Sequence, residues 1–146
     1  MDLIQRIIHA LTQVHPPHLL LVHFPIALTT TSFFFILLAW IKKSDVLEKV
    51  AFANISLAAV STIVTAVVGI SDNLKRDNGM APNHTAKIIL ASTLFIVTTA
   101  IAIIRWRNPR LFDQKVSKLL LILGYFISFA IASVLGFLGG VIVYGM

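Results

Sequence analysis

Charge is missing from four long windows of this chain. No Asp, Glu, Lys or Arg occurs from Ile7 to Ile41, from Val50 to Ser71, from Ile88 to Ile104, or from Leu119 to Met146. Each window is close to or above the roughly 17–20 residues that a helix needs to cross a bilayer core. Hydrocarbon offers the backbone no hydrogen-bond partners, so such windows must fold as structures that satisfy their own amides. The shortest, Ile88 to Ile104, is extended by Arg105 and Trp106, which can snorkel or sit at the interface. With 58% hydrophobic and 12% charged residues, the chain also lacks the polar surface a soluble domain of 146 residues would need. The pattern predicts an all-α integral membrane protein, one domain over residues 1–146. Its spans are expected over approximately 17–41, 46–73, 83–106 and 114–144.

Short connections make sequential spans antiparallel, giving an up-down four-helix bundle with the first and third helices on a diagonal. Small residues along the second and fourth spans permit close approach, and Gly136 and Gly140 have G-x-x-x-G spacing. Ahead of the first span, "DLIQRIIHALTQV" sets Leu3, Ile4, Ile7, Ile8, Leu11 and Val14 opposite Gln5, Arg6, His9, Thr12 and Gln13. That predicts a short amphipathic N-terminal helix, lying in the interface or docked on the bundle. Asp2 and the lone Arg6 do not make the basic start of a cleavable leader.

Loops one and three carry Lys42, Lys43, Lys49, Arg105, Arg107, Arg110, Lys115 and Lys118, against Arg6, Lys75, Arg76 and Lys87 on the other side. The imbalance places those two loops in the cytoplasm, hence a multi-pass protein of the cell (inner or plasma) membrane with both termini outside. Trp40 and Trp106 then fall at the inner interface, where Trp belongs. The formal charge of +6 is explained by topology, and nucleic acid is not an expected partner. The absence of cysteine excludes disulfides, thiolate metal sites and covalent haem attachment through C-x-x-C-H.

Against this background the polar groups of "HPPHLLLVHFPIAL" (His15 to Leu28) need an explanation. His15 and His18 flank the start of the first span, and His23 lies further in. Asp72 ends the second span and His84 opens the third, so all five gather in the outer third of the bundle. Ionisable groups at such depth are functional-site candidates by default. Pro17 suits a first helical turn, whereas Pro25 is expected to release the carbonyl of Leu21 and kink the helix beside His23. His18 and His23, five residues apart, point about 140° away from each other on a regular helix. His84 follows Asn83, a good N-cap, and a helix N-terminus favours the neutral imidazole that a metal or haem iron requires. His23 and His84 thus approach from diagonal helices, suiting two axial ligands of a flat cofactor. The plain alternatives are hydrated or hydrogen-bonded histidines, and an Asp72 that pairs with Lys75 or Arg76 or caps a helix. The run Phe33 to Phe35 reads as lipid or core packing.

Taken together, "HLLLVHFPIAL", "GISD" (Gly69 to Asp72), His84 and "GGVIVYG" (Gly139 to Gly145) resemble a bacterial and archaeal membrane-protein family of unknown function, domain 2231. Here Leu19 stands where that family usually has proline after its first His, so either His15 or His18 takes that position. The resemblance implies b-type cytochromes engaged in electron transfer, with other electron-transfer proteins or subunits of a membrane complex as partners beside the lipid bilayer. Self-association is also open. On that reading haem b is held by His23 and His84, with His18 the next candidate ligand. Asp72 would orient a ligand or meet a propionate, Lys75 and Arg76 would pair with propionates, and Gly136, Gly139 and Gly140 would leave room for the ring. Two other classes stay open: a non-haem metal site of His23, His84 and Asp72, and a non-catalytic assembly subunit whose polar groups bind nothing.

Overall fold

The computed structural model describes residues 2–5, 20–76 and 84–144; of Arg76 and of residues 141–144 it describes the backbone alone. Every regular element among the described residues is helical. Four long helices make the bundle: α1, His23–Lys42; α2, Asp45–Arg76; α3, His84–Arg107; and α4, Lys115–Tyr144, preceded by a 3-10 turn at Leu111–Asp113. All four are long and apolar enough to cross a membrane. Each helix packs on its two neighbours in the ring α1–α2–α3–α4, which leaves α1 and α3 on the diagonal expected from the short connections. Of the amphipathic N-terminal segment, Leu3 to Gln5 is helical and exposed; its remainder lies outside the described residues.

The first span differs from expectation in a way the chemistry of proline explains. Leu20 and Leu21 are helical, but the ladder is interrupted at Val22, and α1 proper begins at His23. Pro25 therefore stands in the first turn of α1 as its hydrogen-bond ladder defines it. Val22 keeps helical dihedrals (φ −63°, ψ −24°), so helical backbone runs through the interruption. The carbonyl of Leu21, which Pro25 cannot serve, accepts instead from Thr65 Oγ1 of α2 at 3.1 Å. A neighbouring helix thus repairs the gap, as hydrocarbon requires.

Inside the bundle, Ile36, Ala51, Ile55, Ile101, Leu121 and Tyr125 form the buried apolar cluster. Thr29, Ser32, Thr62, Thr98 and Ser128 are buried with it. Their hydroxyls are satisfied locally: Thr62 donates to Ala58 O at 2.8 Å, Thr98 to Leu94 O at 2.8 Å and Ser128 to Gly124 O at 3.0 Å. Ser32 Oγ instead crosses to Ala51 O at 2.8 Å, tying α1 to α2. Phe33 stacks on Phe129 of α4 (centroids 5.2 Å, interplanar angle 13°), while Phe34 faces outward, so the phenylalanine run serves both core and lipid packing. A Cβ on Gly124 would lie 3.1 Å from Ile101 Cδ1, which makes Gly124 the close-approach point between α3 and α4.

At the end of the bundle that carries loops one and three, Glu48 is 3% exposed and bonded to Arg105 through both carboxylate oxygens, one of them at 2.7 Å from Nη2. The Arg105 guanidinium also lies over the Phe52 ring, 5.8 Å from its centroid. Arg105 does more than snorkel; it neutralises a carboxylate that α2 would otherwise carry unpaired into the core. Removing either partner strands a charge, so Glu48→Ala or Arg105→Ala should each lower unfolding stability by about 3–5 kcal/mol. Glu48→Leu combined with Arg105→Met should lose much less than either single change in detergent-solubilised thermal unfolding. The Tyr125 hydroxyl is buried and has no hydrogen-bond partner among the described residues. Tyr125→Phe should therefore be neutral or raise the melting temperature.

Candidate functional site

Alternation of helix direction decides which residues can meet. Helices α1 and α3 run one way and α2 and α4 the other, so the starts of α1 and α3 and the ends of α2 and α4 share one end of the bundle. His23 is the first residue of α1 and His84 the first residue of α3. Asp72 and Lys75 lie in the last turns of α2, and Gly139 and Gly140 near the end of α4. The residues singled out in the sequence are therefore brought to one end, with all four helices contributing. His15, His18 and Asn83 lie outside the described residues, as does the Arg76 side chain.

The individual environments are unequal. His23 is exposed, His84 and Asp72 are half-buried, and Lys75 is exposed. His84 Nε2 stands 3.2 Å from Thr85 Oγ1, within hydrogen-bonding distance. Thr85 escaped the sequence reading because an exposed threonine in a first helical turn is ordinary on its own. Among the described residues no three His, Asp or Glu side chains come close enough together to hold a metal ion. The three-ligand arrangement of His23, His84 and Asp72 thus draws no support from them, whereas two axial ligands need only two side chains.

The glycines divide. A Cβ on Gly136 would sit 3.2 Å from Ile26 Cδ1 of α1, so Ile26 already takes the room beside it. Gly139 and Gly140 have nothing within 4 Å of an added Cβ. Among the described residues the G-x-x-x-G pair is accordingly a helix contact at Gly136, and Gly139 and Gly140 have open surroundings. Nitrogen donors on diagonal helices, an acid between them in the ring and a glycine pair with open space are thus gathered at this end.

Other features of consequence lie at the far end, where sequence reasoning saw only topology. Glu48 shares a three-and-four spacing with Ala51, Ile55, Ala58 and Thr62, and Arg105 with Leu94, Thr98 and Ile101. Those stripes put both charges on buried faces, a signal present in the sequence.

An all-α, four-helix membrane protein with its ionisable side chains sorted to the two ends is the class that this arrangement defines. Residues 14–146 match the family model described as predicted membrane protein, domain of unknown function 2231. The chain belongs to that family. No curated protein and no solved structure matches it.

The glycine geometry gives a direct check. Gly140→Ala should raise stability by about 0.5–1 kcal/mol, since a helical glycine with open surroundings carries only an entropic cost. Gly124→Ala, pressed against Ile101, should give no such gain in the same thermal unfolding assay.

Proposed function

We propose that the protein is a small membrane b-type cytochrome that passes single electrons at the end of the bundle where α1 and α3 begin. The observation that carries this reading is the placement of His23 and His84 as first residues of two helices on a diagonal, opening at the same end. Haem, when bound, supplies a one-electron couple. His23 and His84 supply the nitrogen donors, each as the first residue of its helix. Asp72 and Thr85 orient donor rings by hydrogen bonding, and Lys75 and Arg76 offer cations to carboxylates at the surface. Gly139 and Gly140 leave the wall of α4 open. His18 is the reserve donor. The excess of Lys and Arg in loops one and three supports an orientation with the histidine end outside the cell membrane. Redox proteins or companion subunits would then meet it there.

Visible spectra of the purified protein, oxidised and dithionite-reduced, test the proposal. A Soret band with sharp α and β bands on reduction is expected, and His84→Ala should abolish or shift the low-spin spectrum. A folded, colourless protein that fails to take up added haem would refute the class. An unchanged His84→Ala spectrum would refute the ligand assignment alone.

A further inference from the structure

The opposite end of the bundle holds a cleft of about 320 Å³ whose walls include Trp40, Lys43, Asp45, Phe112, Asp113 and Lys118. It lies where α1 ends, α2 begins and the 3-10 turn leads into α4, at the depth of the membrane interface that Trp40 marks. Two lysines and two aspartates line one space, and no ion pair joins any two of them.

Two of these charges are held in position at a cost or by a contact. Lys43 is the only non-glycine residue with positive φ among the described residues (φ 48°), and its N–H caps α1 on Ala39 O. Glycine or asparagine normally takes that left-handed position, and lysine there is disfavoured by about 1 kcal/mol. An outlier of this kind points to use of the side chain. The Lys118 ammonium lies over the Phe112 ring at 4.8 Å from its centroid, which holds it at the cleft.

We infer that this cleft binds the headgroup of a zwitterionic phospholipid bearing a primary ammonium. The phosphate sits between Lys43 and Lys118, and the ammonium donates to Asp45 and Asp113. The acyl chains lie beside Trp40 along the apolar exterior. A purely anionic headgroup would satisfy the lysines and meet repulsion from both aspartates. A choline headgroup has the right net charge but no N–H to donate, so it leaves the carboxylates without hydrogen bonds.

The test uses the full chain in detergent, titrated with phosphatidylethanolamine, phosphatidylcholine and phosphatidylglycerol of identical acyl chains and read by native mass spectrometry. Phosphatidylethanolamine should be retained at least fivefold better than the other two. Lys43→Gly should lower retention of phosphatidylethanolamine at least fivefold, through the phosphate that all three lipids share, while the melting temperature holds or rises because glycine suits the left-handed cap. Asp45→Asn with Asp113→Asn should move the preference to phosphatidylglycerol; if that variant does not fold, Asp113→Asn alone should narrow the preference for phosphatidylethanolamine over phosphatidylcholine at least twofold. Equal retention of the three lipids, a wild-type preference for phosphatidylglycerol, retention unchanged by Lys43→Gly, or a preference unchanged in the folded aspartate variant would overturn the inference.

Discussion

Hydrocarbon will not hydrogen-bond a peptide group, and that constraint explains most of what is seen. It makes the four apolar windows helical, and it dictates what happens where a helix cannot complete its ladder. Pro25 breaks the first span at Val22, and Thr65 of α2 answers by donating to Leu21 O. Ser32 makes the second such crossing, to Ala51 O. Both bonds join α1 to α2, the pair with the most extensive packing in the bundle. The defect introduced by proline is thus absorbed at the strongest interface, beside the residue that starts α1, His23.

Charge is handled differently at the two ends. At the basic end, Glu48 and Arg105 form a buried, two-point ion pair, and α1 is closed by a left-handed cap at Lys43. Such a pair adds little net stability over apolar packing but strongly penalises any arrangement that separates α2 from α3. It fixes register. At the histidine end, Ile26 packs on Gly136, and beyond it the glycines of α4 face open space.

Much of this was legible in the residues. The charge-free windows gave the spans to within a few residues at most ends, the short loops gave the diagonal, and both tryptophans sit exposed at the basic end as an interface demands. What escaped notice had a common origin, namely that spacing reports faces but not neighbours. The stripe through Glu48, Ala51 and Ile55 shows that the acid is buried; only packing shows that Arg105, fifty-seven residues later, meets it. Proline offers the same lesson. The sequence places a disruption near Pro25 and frees the carbonyl of Leu21, but only packing shows that Thr65 of α2 meets it. Gly136 and Gly140 share a periodicity, but Ile26 reaches only the first.

The position of the two histidines gives the proposed cytochrome a specific energetic character. Every strong interaction described in the bundle joins sequential or ring neighbours: Ser32 to α2, Glu48 to α3, Gly124 to α3, Phe33 to α4. A group ligated by His23 and His84 would join the diagonal pair α1 and α3, at the end where Gly139 and Gly140 stand. Because such binding acts on the folded state alone, its free energy adds to stability. The gain should concentrate in the first turns of α1 and α3, the parts of the bundle farthest from the Glu48–Arg105 pair. Ligand and ion pair would then clamp opposite ends of one short bundle, each compensating for what the other cannot reach.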